Sequence, residues 1–384
     1  MKTAVSLHSK LPTTGLSIFA KMSALAREHN ALNLAQGFPD FSCDPELVKL
    51  VSKAMQNGHN QYAPLAGVPE LRNAIAEKTG KLYGAKYNPE TEITVTAGAT
   101  QAIFTAITAL IREDDEVILF TPAYDCYEPA IELAGGKPVH VELKQPGFTI
   151  DWKEVKKLVN RKTRMIMLNS PHNPSGAVLS PADIQELEKL VEGTEIIILS
   201  DEVYEHIIFD GITHESIAKY PKLAERSLVI SSFGKTYHNT GWKMGYIVAP
   251  EAITAEIRKI HQFNVFSVNT PAQYGVAEFL KYEDRYRELN AFYEQKRNFF
   301  IKALEGSKFK LIPAKGTYFQ LLDYSTISDK RDVEFADELT IKHKLASIPI
   351  SVFYHNEPDI KLLRFCFAKG EETLKRAADI LHSL

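Results

Sequence analysis

A lysine at position 235 lies in a segment whose surroundings suit a reactive amine. The stretch SSFGKTYHNTGWKMGY, residues 231–246, leads from the apolar run Leu228–Ile230 through Gly234 and Lys235 to a second apolar run, Tyr246–Ala249. A lysine held between two strands and partly walled from water has its pKa lowered toward neutrality, and its amine becomes a usable nucleophile. Most lysines, however, are solvated surface residues. The other polar residues of the chain decide between the two interpretations.

Two polar residues follow a predicted buried strand, at the edge of the sheet where a ligand is expected. Asp201, in SDEVYEH, follows the apolar strand Ile196–Leu199, and Tyr204 comes three residues later, so both are expected to face the crevice above a sheet. An acidic residue at a strand end is about as often the cap of a following helix as it is a functional group. Arg364 lies inside the apolar segment LLRFCFA, where an arginine is costly to bury unless it pairs with an anion.

Two loops carry weaker signals. In AGATQAIF, Ala99 and Thr100 open a predicted helix, whose free N–H groups and dipole favour an anion. In NSPHNPSG, Asn173 precedes a proline in a tight loop after a strand.

One cofactor needs all of these groups together. Pyridoxal phosphate requires a lysine amine for its aldehyde, a carboxylate beside its ring nitrogen, donors to its ring hydroxyl, a phosphate cup and, for amino-acid substrates, an arginine.

The elements that position these residues alternate between strand and helix from residue 93 onward, which is typical of an α/β domain with a mostly parallel sheet. Ligands of such sheets lie beyond the carboxyl ends of the strands. Seven strands are predicted, at Ile93–Ala97, Val117–Phe120, Val139–Glu142, Met165–Leu168, Ile196–Leu199, Leu228–Ile230 and Tyr246–Ala249. After Pro271 the pattern is helical through about Leu304 and is interpreted as a long connector to a smaller α+β region. We expect a large domain at residues 42–283 and a small domain formed by residues 1–41 and 284–384.

Composition excludes several other classes of protein. The 384 residues include 45% hydrophobic and 24% charged residues, with a net charge of −3, which is ordinary for a globular protein and argues against nucleic acid or an anionic membrane as the main partner. Three cysteines, Cys43, Cys126 and Cys366, have no metal-ligand or redox spacing, and no metal site is predicted. With no signal-peptide core and no apolar run of about 18 residues, a cytoplasmic protein is expected.

The motifs GAT, TPAYDCYEP, HNPSG, SDEVYEH, SSFGKTYHNTGWKMGY and LLRFCFA, in this order, resemble those of the class I pyridoxal-phosphate aminotransferases. The match runs from about Gln36 to Ala368 and is similar to the branch containing kynurenine and methionine aminotransferases. The segments ITVTAGAT, SSFGKTYH and FSVNTPAQ favour the methionine type. The resemblance implies fold type I of the pyridoxal-phosphate transferases and a homodimer with active sites at the subunit interface.

The resemblance also implies roles for the residues around the cofactor ring. Lys235 would carry the cofactor covalently and later move a proton between the substrate's α-carbon and the cofactor. Asp201 would pair with the ring nitrogen, Asn173 and Tyr204 would hydrogen-bond the ring hydroxyl, and Tyr124 would stack on the ring.

The phosphate, by the same resemblance, would be held by Ala99, Thr100, Ser232, Lys243 and Tyr62 of the partner subunit. Relatives of the aspartate type carry an arginine where Lys243 stands, so here the phosphate would meet a compact point charge instead of a planar fork. This departure is shared by the kynurenine and methionine branch.

The substrate carboxylate would be bound by Arg364 with Asn173 and the backbone of Gly37. The side-chain pocket would be lined by Phe19, Tyr62 and residues 263–269, with Phe266 and Ser267 facing in. No arginine lies between Arg258 and Arg285 to read an acidic side chain. The expected reaction is therefore transfer of an amino group from a neutral amino acid to a 2-oxo acid. Methionine is favoured as the donor over phenylalanine, tyrosine, histidine or kynurenine, and an apolar pocket separates similar side chains only modestly.

Three alternatives remain at this point. A carbon–sulfur β-lyase acting on cysteine conjugates would use the same residues. A transcriptional regulator with an aminotransferase-like sensor domain is expected to have a helix-turn-helix domain and a basic patch, and neither precedes QGFPDF. A binding protein without catalysis fits poorly with a complete set of cofactor groups.

Overall fold

The computed structural model describes residues 5–12 and 14–384. Its helices are α1 Ile18–Glu28, α2 Pro45–Gln56, α3 Pro69–Tyr83, α4 Ala99–Leu110, α5 Tyr127–Leu133, α6 Trp152–Leu158, α7 Pro181–Val191, α8 Pro221–Ala224, α9 Phe233–Thr236, α10 Glu251–Asn264, α11 Thr270–Phe279, α12 Asp284–Arg287, α13 Leu289–Ala303, α14 Asp332–His343 and α15 Glu371–His382. Three short 3₁₀ helices span Ile217–Lys219, Thr240–Trp242 and Ser351–Phe353.

The strands are β1 Leu32–Asn33, β2 Ile93–Thr96, β3 Glu116–Thr121, β4 Lys137–Glu142, β5 Thr163–Asn169, β6 Ile197–Asp201, β7 Ser227–Ser232, β8 Gly245–Val248, β9 Lys310–Ile312, β10 Phe319–Asp323, β11 Leu345–Ala346, β12 Ile348–Pro349 and β13 Leu362–Cys366. Seven of them form one sheet in the order β2-β8-β7-β6-β5-β3-β4. Only β8 runs antiparallel to its neighbours in this sheet. The predicted mostly parallel seven-stranded sheet is confirmed.

The central strands are apolar because helices cover both faces of the sheet. Every residue of β6 and β7 is buried, as expected for strands with no solvated side. One face packs against α4, α5 and α10, whose apolar residues join those of the strands in a single cluster. The carboxyl ends of β5, β6 and β7 therefore lie side by side, and the residues that follow them converge on one edge.

A second, four-stranded antiparallel sheet has the order β12-β13-β10-β9. The N-terminal segment joins this part of the chain, because β1 pairs with β11 and the backbone of Leu34 accepts a hydrogen bond of 2.8 Å from Cys366. The smaller α+β region is thus present. The boundaries at residues 41 and 283 stay a prediction.

The segment after Pro271 differs from the predicted long connector. It consists of three helices, α11, α12 and α13, separated by breaks near Tyr282 and Glu288. Helix α11 packs against α2 so closely that a Cβ on Gly275 would lie 2.3 Å from a side-chain carbon of Val51. Its residues therefore belong to the core of the larger part. Within residues 5–12 and 14–384, no helix is both long and apolar enough to cross a membrane.

Candidate active site

Lys235 lies in α9, one turn after the end of β7, and its amine points into the cavity at the carboxyl edge of the large sheet. The Nζ atom donates to the carbonyl oxygen of Gly37 at 3.2 Å and to the hydroxyl of Tyr318 at 3.1 Å. Burial lowers the pKa of Lys235 to about 8, and the nearby cations Arg364 and Lys243 act in the same direction. The predicted shift toward neutrality is confirmed.

Asp201 is the last residue of β6 and is buried. Its Oδ2 accepts a hydrogen bond of 2.6 Å from the hydroxyl of Tyr127, and its Oδ1 accepts a longer one, 3.3 Å, from the backbone of Val203. Burial raises the pKa of Asp201 to about 6, although the Tyr127 hydroxyl and Lys235 favour its ionised form. A carboxylate held in this way is poised to accept a cationic partner at neutral pH.

An anion site is built where β2 turns into α4. Gly98, with a φ of 81°, is the N-cap of α4 and offers no side-chain cap, so the first N–H groups of the helix stay free. A Cβ on Gly98 would lie 3.4 Å from Nζ of Lys243, which places that ammonium against the helix start. Ser232, the N-cap of α9, and Thr100 line the same cavity. The group is therefore suited to a phosphate.

Arg364 extends from the middle of β13 and is fully buried. Its Nη1 donates to Oδ1 of Asn173 at 2.6 Å and its Nη2 to the carbonyl oxygen of Ala35 at 3.0 Å. The guanidinium carbon lies 3.8 Å from the ring centroid of Phe319, and burial lowers the pKa of Arg364 to about 10. Its Nε has no hydrogen-bond partner among the described residues. Such an arginine has spare capacity for an anionic ligand.

The remaining predicted residues of one chain line this cavity. Tyr204 is buried, and its ring meets that of Tyr318 edge to face at 5.1 Å. The hydroxyl of Tyr124 lies 3.4 Å from that of Thr100, and the ring of Phe19 lies 6.4 Å from the ring of Tyr124. The cavity therefore contains Phe19, Gly37, Ala99, Thr100, Tyr124, Asn173, Asp201, Tyr204, Ser232, Lys235, Lys243 and Arg364.

Three predicted residues lie outside this cavity. The rings of Tyr62 and Phe266 meet edge to face at 5.1 Å, and both residues are exposed, at 80% and 57%. The hydroxyl of Ser267 donates to the carbonyl oxygen of Ala63 at 3.2 Å. Within one chain these residues do not reach the site.

Comparison with known proteins places the chain in a family. Residues 29–381 match the family described as aminotransferase class I and II. The chain is a class I and II aminotransferase. It is 51% identical to a methionine aminotransferase of Escherichia coli over 98% of each chain. It is 34% identical to kynurenine–oxoglutarate transaminase 1 of Rattus norvegicus over 94% of this chain and 93% of the relative.

Solved structures of aminotransferases share the whole fold. The structure of the Escherichia coli methionine aminotransferase superposes with a TM-score of 0.97 at 50% identity, covering 99% of this chain and all of the other. N-succinyldiaminopimelate aminotransferase from Mycobacterium tuberculosis gives a TM-score of 0.95 at 35% identity, covering 98% and 100%. The predicted fold class is confirmed. Aminotransferases of this family use pyridoxal phosphate.

Sequence reasoning missed several groups that this aminotransferase places around the site. Tyr127 occurs in the motif TPAYDCYEP without a predicted role of its own, and no spacing between residues 127 and 201 indicates their hydrogen bond. Tyr318, whose hydroxyl also donates to Gly37 at 2.6 Å, lies in a loop before β10. Its position after a glycine and a threonine, in KGTYF, carries no comparable signal.

A buried ion pair behind the site was also missed. Nζ of Lys78, in α3, donates to Oε1 of Glu205 at 2.8 Å, and the same carboxylate accepts from the hydroxyls of Tyr83, at 2.5 Å, and Ser231. Burial opposes ionisation of Glu205, but the Lys78 ammonium outweighs it and the pKa of Glu205 falls well below its usual range. Glu205 follows Tyr204, and Ser231 precedes Ser232, so the pair ties together two segments that reach the cavity.

Proposed function

We propose that this aminotransferase binds pyridoxal phosphate and transfers the amino group of a neutral L-amino acid, methionine in preference, to a 2-oxo acid. The observation that carries the proposal is the shared cavity of Lys235, Asp201 and Arg364. An amine with a pKa of about 8, a buried carboxyl group and a buried guanidinium with an unpartnered Nε match the three fixed needs of this chemistry.

The residues present fit the cofactor. The uncapped start of α4 and the Lys243 ammonium suit its phosphate, and Ser232 and Thr100 add hydroxyls at the same end of the cavity. Asp201 would hold the ring nitrogen, with Asn173 and Tyr204 at the ring hydroxyl and Tyr124 against the ring. When bound, pyridoxal phosphate supplies an electron sink for the electrons released at the substrate's α-carbon.

The chain's own groups would do the rest. Arg364 would orient the substrate by its carboxylate, with Asn173 and the backbone of Gly37 completing that contact. Lys235, which lies in α9 just after β7, would move the proton between the substrate's α-carbon and the cofactor. Its lowered pKa in the cofactor-free site supports its attachment to the cofactor aldehyde, because only the neutral amine is a nucleophile.

The choice of a neutral substrate rests on what surrounds Arg364. Aromatic rings of Phe19, Phe319 and Phe353 lie within 3.8 to 5.7 Å of its guanidinium, which favours an apolar side chain next to the bound carboxylate. The names of the relatives, methionine and kynurenine aminotransferases, agree with this chemistry. None of the relatives named above is a lyase, and no residue of the cavity favours cleavage of a cysteine conjugate over transfer.

We further propose a homodimer in which Tyr62, Phe266 and Ser267 complete the site of the partner subunit. The exposed Tyr62 and Phe266 pair supports this, since an aromatic pair left in water is a common interface feature. The large domain at residues 42–283, the small domain at residues 1–41 and 284–384, and a cytoplasmic location belong to the same proposal.

A half-reaction screen tests the proposal. The purified protein, loaded with pyridoxal phosphate, is mixed with single amino acids without an acceptor, and the visible absorbance of the lysine-bound cofactor is followed. Methionine and the aromatic amino acids should change it faster than aspartate, and Lys235→Ala should abolish the change. Lys259→Ala, a surface lysine with 64% side-chain exposure, serves as the control.

Three results would contradict the proposal. A protein that gains no visible absorbance from added pyridoxal phosphate would refute the cofactor. Faster reaction with aspartate than with methionine would refute the pocket argument. Release of pyruvate from a cysteine conjugate without an oxo acid, faster than transfer from methionine, would favour the lyase.

A further inference from the structure

Three ligand-type side chains converge on the surface of the molecule, outside the cavity described above. Glu128 comes from α5, His140 from the edge strand β4, and His355 from the segment just after the 3₁₀ helix Ser351–Phe353. Nδ1 of His355 lies 2.9 Å from Oε1 of Glu128, and Nε2 of His140 lies 3.5 Å from the same oxygen. One potential ligand atom from each residue lies within 4.8 Å of the other two.

The state of His140 sets this group apart from an ordinary surface ion pair. Nδ1 of His140 has no hydrogen-bond partner among the described residues, Nε2 has only the Glu128 oxygen 3.5 Å away, and both nitrogens are inaccessible to water. A neutral imidazole has one N–H and one lone pair, and leaving both without a partner costs free energy. In the tautomer that carries its proton on Nδ1, the lone pair of Nε2 faces the Glu128 carboxylate at 3.5 Å, and two acceptors with no proton between them repel each other. A cation between them would satisfy both.

We propose that Glu128, His140 and His355 form a binding site for a Zn²⁺-type divalent metal ion. Two imidazoles and one carboxylate, with a fourth position left for water, are a common zinc ligand set, whereas Mg²⁺ and Ca²⁺ prefer oxygen ligands alone. Metal–nitrogen distances of about 2.0–2.1 Å in a tetrahedral site put ligand atoms about 3.4 Å apart. The separations of 2.9 and 3.5 Å from the carboxylate oxygen lie on either side of that value.

One imidazole must turn before the arrangement closes around an ion. The two rings stack, with centroids 4.6 Å apart and planes 23° from parallel, so their in-plane lone pairs do not yet point at one position. The side chain of His355 is 66% exposed, so it is free to rotate, while β4 and α5 hold the other two. Chain positions 128, 140 and 355 have no metal-binding spacing, which is why the sequence predicts no metal site here.

Such a site would join the edge of the large sheet to the segment that carries Phe353. This segment is already linked to the sheet edge by Asn356, whose Nδ2 donates to Oε1 of Glu142 at 3.0 Å. The ring of Phe353 lies 5.9 Å from that of Phe19 and 5.7 Å from the guanidinium of Arg364. A bound ion would therefore brace one wall of the cavity from outside.

Zinc titration of the full chain tests the proposal. The cofactor-loaded protein is freed of metal by a chelator, dialysed, and titrated with Zn²⁺ in a calorimeter. The wild-type chain should bind one ion per chain at this site, and His355→Ala and His140→Ala should each weaken that binding by at least about 10-fold. Co²⁺ should give the visible bands of a four-coordinate complex with the wild-type chain and not with His355→Ala.

The matched control is His29→Ala. His29 is a partly exposed histidine whose Nε2 lies 3.9 Å from Oε1 of Glu28, but it has no second histidine in a group of this kind among the described residues. Its removal should leave zinc binding unchanged. Equal zinc affinity in the wild-type chain and His355→Ala would overturn the proposal, as would an equal loss in His29→Ala. His355→Ala should keep the wild-type Tm without metal, which shows that lost binding is not lost folding.

Discussion

Replacing Tyr127 by phenylalanine should weaken cofactor binding through the charge of Asp201. The Tyr127 hydroxyl donates the shorter of the two hydrogen bonds to that carboxylate, 2.6 Å against 3.3 Å from the backbone of Val203. A hydrogen bond to a charged group contributes about 1.5–3 kcal/mol. Since one pKa unit corresponds to about 1.4 kcal/mol, the pKa of Asp201 should rise from about 6 by about 1–2 units in Tyr127→Phe.

The consequence is a shift in the ionised fraction at neutral pH. With a pKa of about 6, about nine-tenths of Asp201 is ionised at pH 7; after the shift, between about half and about one-tenth is. If only the carboxylate pairs with the ring nitrogen, cofactor affinity at pH 7 should fall by about 2- to 10-fold. Well above pH 8 both proteins are ionised and the difference should disappear.

The stability of the cofactor-free chain should also depend on the ionisation of Asp201, but it should fall with rising pH where cofactor affinity rises. The folded-state pKa of Asp201 lies above its ordinary value, so the folded cofactor-free chain binds more protons than the unfolded chain. The contribution of this group to stability is full below about pH 4 and is lost as pH rises through about 6. In Tyr127→Phe this loss of stability should extend to a higher pH, because the pKa of Asp201 is higher in that variant.

The assay is a titration of the cofactor-free protein with pyridoxal phosphate, followed by visible absorbance at several pH values. Tyr220→Phe is the matched control, since it removes a hydroxyl that donates to the carboxylate of Glu215, which is not among the residues lining the cavity. If Tyr127→Phe follows the wild-type pH profile, or if Tyr220→Phe shifts it as much, the reasoning about Asp201 is refuted.

Two further predictions concern the frame around the site. Lys78→Met should lower the free energy of unfolding by about 3–5 kcal/mol, because it leaves the buried Glu205 carboxylate without its cation. Urea denaturation measures this loss. Lys81→Met, in an exposed ion pair on the same helix, should change the free energy of unfolding little, and equal losses in the two variants would contradict the prediction. Gly245→Ala should weaken cofactor binding by about 10-fold, or roughly 1.4 kcal/mol, because a Cβ there would lie 2.7 Å from a backbone oxygen of β7 and 3.1 Å from the first amide nitrogen of α4. Gly241→Ala, with no atom within 4 Å of the added carbon, should bind as the wild-type chain does, and a similar loss in both would show that the α4 contact is not the cause.

Strand positions were predictable because burial on both faces leaves a plain apolar signal. The run Ile196–Leu199 predicts β6 to within two residues, and Asp201 then follows from its place at the end of a parallel strand. Helix α7 also has a local signal in the sequence, the capping box formed by Ser180 and Asp183. The division of the segment after Pro271 into three helices was not predicted, because its breaks contain no proline and no glycine.

Pairings between distant segments were beyond reach from one sequence. The hydrogen bond from Tyr127 to Asp201 depends on β5 lying between β3 and β6. The Lys78 and Glu205 pair depends on the position of α3, which packs against β2 and α11. Each of these residues has an ordinary local role when considered alone. Their partners are set by tertiary packing, which leaves no periodic trace in the sequence.

The electrostatics of the cavity explain why a costly arrangement of cations is kept. Arg364 and Lys243 both lower the pKa of Lys235 in addition to burial, so the cofactor-free site holds three basic groups facing one another. At pH 7.5 a lysine with a pKa of about 8 has about a quarter of its amines neutral, against about one in a thousand for an ordinary lysine, a gain of about 200-fold in the nucleophilic form. A phosphate at Lys243 and a carboxylate at Arg364 would neutralise both neighbours, so binding the two anions should raise the pKa of Lys235 again. Arg364 and Lys243 would therefore have two roles. Before the ligands bind, they lower the pKa of Lys235 and make its amine reactive; during binding, they pair with the anionic groups of the ligands.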